Sequence, residues 1–354
     1  MAIAVAQPLP GIGDMIWHLP HIHAIAAHYG EPVTLIAKPR SLADQLMEGD
    51  PAVRDVLWVD LNPGGRRGAH DGLRGIACLA SELRARRFRS FIMLHHSHTI
   101  AAAALLAGVP DRHGYGWGAQ RWLLSGGPYL PKEVARLNPN ARATRFLEAA
   151  GIHLASAEPR LQVRQAAIAE ASGVLASLPR PFVALGIGSS EPSRQFGAAR
   201  HAALAVALLQ AGWTAVVLIG GPGDQALAEQ ITGMMGEYAV RTVQALGMRL
   251  QPSAALLSLA AFYVGNNTGM MNLSAAVGVR TYGLFGTYPP FSHASQIVPI
   301  LSPPSGPDDG MTRMTTEAVL EAIRTDRGGL APLPEIVGEG LGSNAELWPR
   351  PAVK

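Results

Sequence analysis

Four short segments rich in glycine and polar residues follow apolar runs, and they hold most of the side chains that could do chemistry. The first is residues 10–14, in which Gly11 and Gly13 precede Asp14 at the start of a predicted helix. Two glycines let the backbone turn tightly and approach a ligand closely. Asp14 could belong to a substrate site at this turn or simply cap the helix, and spacing alone does not choose between these roles. A dinucleotide fingerprint is disfavoured, because Ile16 stands where its third glycine would be.

The second segment, residues 186–190, ends in Ser189 and Ser190 and is followed by Arg194. Exposed backbone N–H groups and hydroxyls in such a turn suit a diphosphate, and a guanidinium adds charge-assisted hydrogen bonds. The alternative is a plain strand-to-helix turn with a solvated arginine. We expect a phosphate-binding loop here, with that alternative open.

The third segment, residues 219–224, contains three glycines and one proline before Asp224. This composition indicates a fixed turn after a strand. Asp224 could accept a hydrogen bond from a ribose hydroxyl, although a helix cap is the favoured role on sequence alone.

The fourth segment, residues 264–276, is the most specific of the set. A strand runs into a polar turn that contains Asn267, Thr268 and Gly269, and a helix carrying Asn272 follows. Free N–H groups at such a helix start form an anion site. Ordinary N-capping would explain one polar residue here but not the whole run.

Histidines supply weaker candidates. His95, His96 and His98 follow a predicted strand and could line a cleft, where they would contact an acceptor or a phosphate, although a role as loop filler is favoured. Of these, His95 and His98 are the candidates for the acceptor side. The spacing of three others (His18, His21 and His23) does not put all three on one helical face. The single cysteine excludes a disulfide within the chain and a zinc site of the multi-cysteine type. These residues therefore predict no metal site. No cofactor is predicted either.

The elements that position these segments alternate between short apolar runs and longer helical patterns, which predicts βαβ units and parallel sheets. The predicted strands are residues 2–6, 33–37, 56–59, 90–94, 182–186, 214–219, 262–265 and 280–285. The predicted helices are residues 15–29, 73–86, 99–107, 165–178, 199–211, 225–234, 253–261 and 272–277. Ligands of such sheets bind outside the carboxyl ends of the strands, where all four segments lie.

The chain length of 354 residues favours two domains. The pattern breaks between about residues 158 and 180, where prolines flank an alanine-rich helix. We predict an α/β protein of two Rossmann-like domains, residues 1–165 and 166–325, facing each other across a cleft. A tail of residues 326–354 is expected to pack back on the first domain.

Composition excludes several classes of protein. With 48% hydrophobic and 16% charged residues, the chain is neither disordered nor highly charged. Its basic residues are scattered, which argues against nucleic-acid binding. The N-terminus lacks a signal-peptide pattern and no apolar run reaches about 18 residues, so a cytoplasmic protein is predicted. Contact with the inner membrane surface is a hypothesis that rests on arginines of the first domain, namely Arg66, Arg67, Arg84, Arg86, Arg87 and Arg89.

Together the segments resemble landmarks of glycosyltransferase family 9, the ADP-heptose:lipopolysaccharide heptosyltransferases. The similar stretches are Gly11-Ile-Gly-Asp14 with Pro20, residues 104–115, Gly188-Ser-Ser with Arg194, Gly220-Gly-Pro-Gly-Asp224, Asn267-Thr-Gly-Met-Met-Asn272, Leu284-Phe-Gly, and Pro289. They occur in order over about residues 2–290, and their combination is more specific than any one of them.

The resemblance implies a GT-B fold and an inverting, metal-independent transferase. The donor would be a nucleotide-diphosphate sugar bound mainly by the second domain, and the acceptor a glycan or glycolipid bound by the first. Asp14 would be the general base, near Gly13 on the acceptor side. Residues implied on the donor side are Ser189, Ser190, Arg194, Asp224 at the ribose, Met248 at the adenine, Asn267, Thr268, Gly269 and Asn272.

This sequence departs from the family pattern at four positions. Asn267 and Asn272 stand where the family signature has Asp and His, while Arg194 and Phe196 replace Lys and Trp. Asparagine keeps hydrogen bonding but loses charge, which leaves the donor open between ADP-heptose and another nucleotide sugar. The alternatives are an epimerase of the same fold, a catalytically inactive nucleotide-sugar-binding scaffold and, more distantly, a dinucleotide-dependent reductase.

Overall fold

The computed structural model describes residues 2–286, 290, 294–303 and 310–332, and these form two parallel β-sheets flanked by helices. The first sheet comprises β1 (Ala2–Ala6), β2 (Val33–Ala37), β3 (Val53–Trp58), β4 (Phe88–Met93) and β5 (Asp111–His113). The second comprises β6 (Phe182–Gly186), β7 (Ala215–Gly220), β8 (Thr242–Leu246), β9 (Tyr263–Asn266), β10 (Thr281–Phe285) and β11 (Ile297–Leu301). This arrangement confirms the predicted α/β architecture.

The helices of the first part are α1 (Ile12–Tyr29), α2 (Ala43–Leu46), α3 (Gly72–Arg86), α4 (His98–Leu106) and α5 (Pro139–Ala149). Those that follow are α6 (Gln165–Ala176), α7 (Ala198–Gln210), α8 (Gln225–Gly233), α9 (Leu250–Leu257), α10 (Gly269–Ala276) and α11 (Thr316–Arg327). Most of them connect one strand to the next parallel strand, as βαβ units require.

Strand order determines where each sheet can bind a ligand. The first sheet runs β3-β2-β1-β4-β5 and the second runs β11-β10-β9-β6-β7-β8. Successive strands are therefore added toward one edge of the first sheet from β1 and toward the other edge from β4. The same reversal of strand order occurs between β9 and β6 in the second sheet. At such switch points the loops after the two strands diverge and leave a crevice. The loops that contain Asp14, Ser189 and Asn267 lie at these two points.

The central strands form where apolar runs allow burial on both faces of a sheet. Every residue of β2, β6 and β10 is buried. A single apolar cluster continues from α1 and β1 of the first half to α9 and α10 of the second, and includes Leu19, Ile22, Leu257 and Leu273. The two sheets are thus joined by shared side-chain packing as well as by the chain itself.

The structure differs from the sequence-based elements at several places. Strands β5, β8 and β11 and helices α2, α5 and α11 were not predicted. Strands β5 and β8 contain polar residues that break any apolar run, and Pro299 interrupts the apolar run of β11. Predicted helix 253–261 begins earlier, at Leu250, and predicted helix 272–277 begins at Gly269. Each begins at the loop after a strand, so the polar loop itself supplies the first helical turn.

Helix α11 continues to Arg327, past the position where the tail was expected to begin. Beyond it, the Leu330 carbonyl accepts a hydrogen bond from Trp213 Nε1 at 2.6 Å, so this stretch packs on the second half. The expected return of the tail to the first domain concerns residues 333–354, which lie outside the described residues, as does Pro289.

Candidate active site

Asp14 lies in the first turn of α1, directly after the loop that follows β1. Its Oδ2 atom accepts a hydrogen bond from the Gly11 N–H at 2.9 Å, which satisfies one of the free donors at the helix start. The predicted cap is therefore present, and the carboxylate also lines the cavity described below.

Two fully buried side chains fix the backbone at Asp14. Gln7 Nε2 donates to the Asp14 carbonyl at 3.0 Å, while Gln7 Oε1 accepts from the Leu9 N–H at 2.8 Å. His18 Nδ1 lies 2.6 Å from the same carbonyl and 3.0 Å from Gln7 Nε2. The loop and the first helical turn are thereby held together, so the direction of the Asp14 side chain is set before any ligand binds.

Burial raises the pKa of Asp14 above its usual value of 3.8, and this effect outweighs two opposing ones. The Gly11 N–H and the positive charge of Arg194 both lower the pKa of the carboxyl. A carboxylate with a raised pKa is a stronger base than an exposed one. Arg194 belongs to the second half of the molecule, so its influence means that the cleft brings the two side chains near each other.

The loop after β6 carries the basic side of the site. Ser189 Oγ donates to the Glu191 carbonyl at 2.7 Å and so closes a tight turn. Arg194 forms an ion pair with Glu191 at 2.9 Å, and only a quarter of its side chain is exposed. The guanidinium is therefore held at the cleft by a neighbouring acid.

Asn266, the last residue of β9, organises this loop and was missing from the predicted site. Its Nδ2 group lies 3.1 Å from the carbonyls of Ile187 and Gly188 and from Gln195 Oε1. Its Oδ1 atom accepts from the Phe196 N–H at 3.1 Å. The signal in the sequence was the first asparagine of the Asn-Asn-Thr-Gly run, at the carboxyl end of a buried strand.

Asp224 follows β7 and caps the short turn there. Its Oδ2 atom accepts from the Gly221 N–H at 2.7 Å. A Cβ atom at Gly188 would lie 2.4 Å from that oxygen, so only glycine at position 188 leaves room for the carboxylate between the two loops. The favoured cap is present, and the carboxylate also lines the cavity.

The turn after β9 leads into α10 and presents a helix start to the cleft. Thr268 has extended backbone angles at the N-cap position, and its side chain makes no capping hydrogen bond. First-turn N–H groups of a helix have no partner within the helix, so this end of α10 suits an anion. Asn272 is buried, and its Nδ2 group donates to the Thr268 carbonyl at 2.9 Å.

These loops of both halves line one cavity of about 520 Å³. Of the predicted site residues, it contains Gly13, Asp14, Ser189, Ser190, Arg194, Asp224, Asn267, Thr268, Gly269 and Asn272. Further lining residues that the sequence reasoning missed are Trp17, Arg40 and Leu42. Arg40 and Leu42 could have been found, because they follow the carboxyl end of β2, as ligand-binding loops of a parallel sheet do.

Three predicted residues do not line this cavity. His98 is exposed at the first turn of α4, and burial lowers the pKa of His95 to about 4. Met248 is half-buried after β8, one residue beyond Gly247, whose N–H donates to the Gly220 carbonyl at 3.0 Å. A second cavity, of about 380 Å³ beside residues 48–52 and 160–164, contains none of the predicted site residues.

One group of three potential metal ligands occurs in the described part of the chain, outside the cavity. The ligand atoms of His70, Cys78 and Glu82 lie within 4.8 Å of one another. However, His70 Nδ1 accepts from the Asp60 N–H at 2.9 Å, so the neutral ring carries its proton on Nε2, 3.3 Å from Glu82 Oε1. A ring in that tautomer has no lone pair left for a metal, and hydrogen bonds account for the contacts of His70.

The sequence profile of glycosyltransferase family 9 (heptosyltransferase) matches residues 76–299, which is more than half of the chain. The chain belongs to glycosyltransferase family 9. It is therefore a glycosyltransferase, and the predicted family membership is confirmed. No curated protein matches the sequence of this family 9 member at a significant level.

Solved structures of similar fold agree with this assignment. E. coli ADP-heptose lps heptosyltransferase II is 21% identical, with a TM-score of 0.72 over 92% of this chain and 98% of that one. A family 9 glycosyl transferase from Veillonella parvula DSM 2008 is 20% identical, with a TM-score of 0.74 over 92% and 96%. E. coli heptosyltransferase WaaC with ADP-2-deoxy-2-fluoro heptose is 18% identical, with a TM-score of 0.70 over 92% and 100%. These matches confirm the predicted GT-B fold.

The arginines of the first half of this family 9 member differ in their partners. Arg86 pairs with Asp55, and Arg89 pairs with Glu31. Arg66 and Arg67 are exposed in the loop before α3. Leu73, in the first turn of α3, is 87% exposed. Within the described residues, no helix has both the length and the apolar character needed to cross a bilayer.

Proposed function

We propose that this family 9 glycosyltransferase moves heptose, or a related sugar, from a nucleotide-diphosphate donor to a glycan or lipopolysaccharide-type acceptor. ADP-heptose is the first donor to test, since the fold neighbours include heptosyltransferases crystallised with ADP and with an ADP-heptose analogue. The observation that carries the proposal is the shared cavity, in which a carboxylate from one half faces a basic, N–H-rich wall from the other.

The proposed reaction is a single displacement at the anomeric carbon. Asp14 takes the proton of the acceptor hydroxyl, and the hydroxyl oxygen forms a bond to the anomeric carbon. The bond between that carbon and the diphosphate oxygen breaks, and the nucleoside diphosphate leaves with the electron pair. Attack opposite the leaving group inverts the configuration. The proposed base comes from the first half and the proposed anion site from the second half of the same cavity.

Negative charge develops on the diphosphate as it leaves, and fixed donors stabilise it. Arg194 supplies a guanidinium held beside the cavity, and Ser190 adds a hydroxyl. Ser189 could donate to the diphosphate only by giving up the hydrogen bond from its hydroxyl to the Glu191 carbonyl. The start of α10, with Thr268 and Gly269, adds backbone N–H groups and the positive end of the helix dipole. We propose that these groups stabilise the leaving diphosphate without a metal ion.

Donor and acceptor recognition follow from the same geometry. Asp224 would accept a hydrogen bond from a ribose hydroxyl through its Oδ1 atom, because its Oδ2 atom already accepts a hydrogen bond from the Gly221 N–H. Asn267 would hydrogen-bond the sugar or phosphate, and Met248 would contact the base when the donor extends past the Gly220 turn. On the acceptor side, Gly13 lets a hydroxyl approach Asp14. His95 and His98 would contact a large acceptor only outside the cavity.

The test is a panel of nucleotide sugars, with donor binding and donor turnover measured for the wild type and for Asp14→Asn. A suitable matched control is Asp71→Asn, because Asp71 also accepts backbone N–H hydrogen bonds at a helix start but lies outside the cavity. We expect one donor to bind tightly and its turnover to disappear in Asp14→Asn alone.

Other outcomes identify the alternatives. Release of free sugar and nucleotide at full rate without an acceptor would favour an epimerase. Donor binding with no turnover in the wild type would favour a scaffold protein. Retention of wild-type turnover by Asp14→Asn would contradict the proposed base.

We also propose that the exposed loop before α3 touches an anionic membrane surface when the acceptor is a glycolipid. Arg66 and Arg67 would contact headgroups, and Leu73 would enter the interface. The wild type should bind vesicles of phosphatidylglycerol and phosphatidylcholine. The double variant Arg66→Gln/Arg67→Gln should lose this binding. The control Arg86→Gln should retain binding, because Arg86 already pairs with Asp55. Unchanged binding of the double variant would contradict the proposal.

A further inference from the structure

A hydrogen bond joins the two halves of the molecule beside the cavity. Trp17, on α1 of the first half, donates from Nε1 to Asn272 Oδ1, on α10 of the second half, at 2.7 Å. Trp17 stands one helical turn after Asp14, and Asn272 stands one turn after Thr268. The bond therefore connects the helix of the proposed base with the helix of the proposed phosphate site.

The Asn272 amide is committed at both ends. Its Oδ1 atom accepts from Trp17, and its Nδ2 group donates to the Thr268 carbonyl at 2.9 Å. Only 6% of the residue is exposed. The amide therefore joins the Trp17 indole to the turn, which its own bond to the Thr268 carbonyl already holds, rather than reaching freely toward a ligand.

Two glycines let these helices approach closely around that bond. A Cβ atom at Gly13 would lie 2.8 Å from Asn272 Nδ2, and one at Gly269 would lie 2.8 Å from Ile12 Cβ. Distances this short leave no space for an added methyl group. The first turns of α1 and α10 therefore pack with backbone against side chain, and the Trp17–Asn272 bond sets their register.

We infer that Trp17 and Asn272 are positioning residues, which hold Asp14 at a fixed distance from the diphosphate site. This inference rests on the proposed function. Neither residue is required to touch the reacting atoms.

Loss of the bond should affect binding and catalysis differently. In the proposed function a nucleoside diphosphate contacts mainly groups of the second half, namely Arg194 and the start of α10, so its affinity should depend little on where α1 lies. Transfer requires the acceptor hydroxyl, Asp14 and the anomeric carbon to align, and a misplacement of about 1 Å can cost on the order of 100-fold in rate. The expected effect is therefore a loss of kcat at unchanged donor affinity.

The experiment compares Trp17→Phe with the wild type, using kcat, donor KM and the dissociation constant of ADP measured by calorimetry. Phenylalanine keeps an aromatic ring but removes the N–H donor. The control is Trp213→Phe, which removes an indole hydrogen bond to the Leu330 carbonyl, within the second half alone. We expect kcat of Trp17→Phe to fall about 10- to 100-fold, with donor KM and ADP affinity within about twofold. Trp213→Phe should lower Tm and leave kcat unchanged.

A double-mutant cycle with Asn272→Ala separates positioning from general destabilisation. If the two residues act through their shared bond, Trp17→Phe should reduce kcat by less than about twofold when alanine already occupies position 272. Independent, multiplicative losses would overturn the inference, as would a wild-type kcat in Trp17→Phe. If the wild type transfers sugar from no donor, the proposed function fails instead and the positioning role falls with it.

Discussion

Replacing Asp14 by asparagine should abolish transfer while leaving the fold intact. Asparagine keeps an oxygen that can accept the Gly11 N–H, now 2.9 Å from Asp14 Oδ2, so the start of α1 is preserved. It cannot take a proton from the acceptor hydroxyl. General-base catalysis contributes about 100- to 10,000-fold, so kcat should fall by that factor, or about 3–5 kcal/mol of transition-state stabilisation.

The same substitution should not destabilise the protein at neutral pH. Because burial raises the pKa of Asp14, the native state holds its proton more tightly than the unfolded chain does. The corresponding stability is present below pH 3.8 and is lost as the pH rises through the raised value, at about 1.4 kcal/mol per pH unit. Asparagine does not ionise, so Asp14→Asn should gain stability relative to the wild type as the pH rises.

Asp71→Asn should behave in the opposite way. Hydrogen bonds from the N–H groups of Gly68 and Asn62 lower the pKa of Asp71, so its contribution to stability is present above pH 3.8 and is lost in acid. This variant should therefore be less stable than the wild type at neutral pH, by a small amount because the carboxylate is solvent-exposed.

Denaturant unfolding from pH 3.5 to 8, with kcat/KM over the same range, measures both effects. The wild type should lose kcat/KM in acid, with a midpoint above 3.8, and Asp14→Asn should show no such limb. A variant that is inactive and also less stable at pH 7 would refute the reasoning, because the carboxylate would then be a structural cap rather than a buried base.

Three further predictions concern the supports of the site. Asn266→Ala should cost about 2–4 kcal/mol of stability and reduce activity, because it leaves buried groups of the Ile187 loop without partners. Thermal unfolding measures the loss of stability, and kcat measures the loss of activity. Gly269→Ala should lower the free energy of unfolding by about 1–3 kcal/mol, because the added Cβ atom clashes with Ile12. The control Gly173→Ala places a Cβ atom in open space on α6 and should raise that free energy by about 0.5–1 kcal/mol. Equal shifts of Tm in the two variants would contradict the packing argument. Burial lowers the pKa of His201 to about 4, so this residue contributes roughly 3 kcal/mol of stability above pH 6.5, which should be lost as the pH falls to 4. His201→Gln should remove this pH-dependent component from the free energy of unfolding. An unchanged dependence of stability on pH in the variant would contradict the prediction.

Most of the cavity wall was predictable because parallel sheets bind ligands at one edge. Asp14, Arg194 and Asn267 each follow an apolar strand in the sequence, and the carboxyl ends of those strands converge. Sequence spacing does not give side-chain direction, however. His95 and Met248 also follow strands, yet neither of them lines the cavity.

The supports of the site could not be predicted, because they depend on contacts between distant parts of the chain. Trp17 meets Asn272 across 255 residues, and Asn266 meets the Ile187 carbonyl across 79. No local periodicity encodes such pairs. The unpredicted strands had a different cause, since β5 and β11 lie at sheet edges. Strand β5 consists of polar residues, and the apolar run of β11 contains Pro299, which argues against a strand in the sequence.

The apolar cluster shared by both halves has a consequence for recombination between family members. Leu19 and Ile22 of α1 pack in the same cluster as Leu257 and Leu273 of the second half. A hybrid that joins this first half to the second half of a relative would set a foreign α9–α10 surface against α1. Exchange of donor specificity by swapping halves should therefore succeed only when the α1 residues that face that surface are transferred together with it.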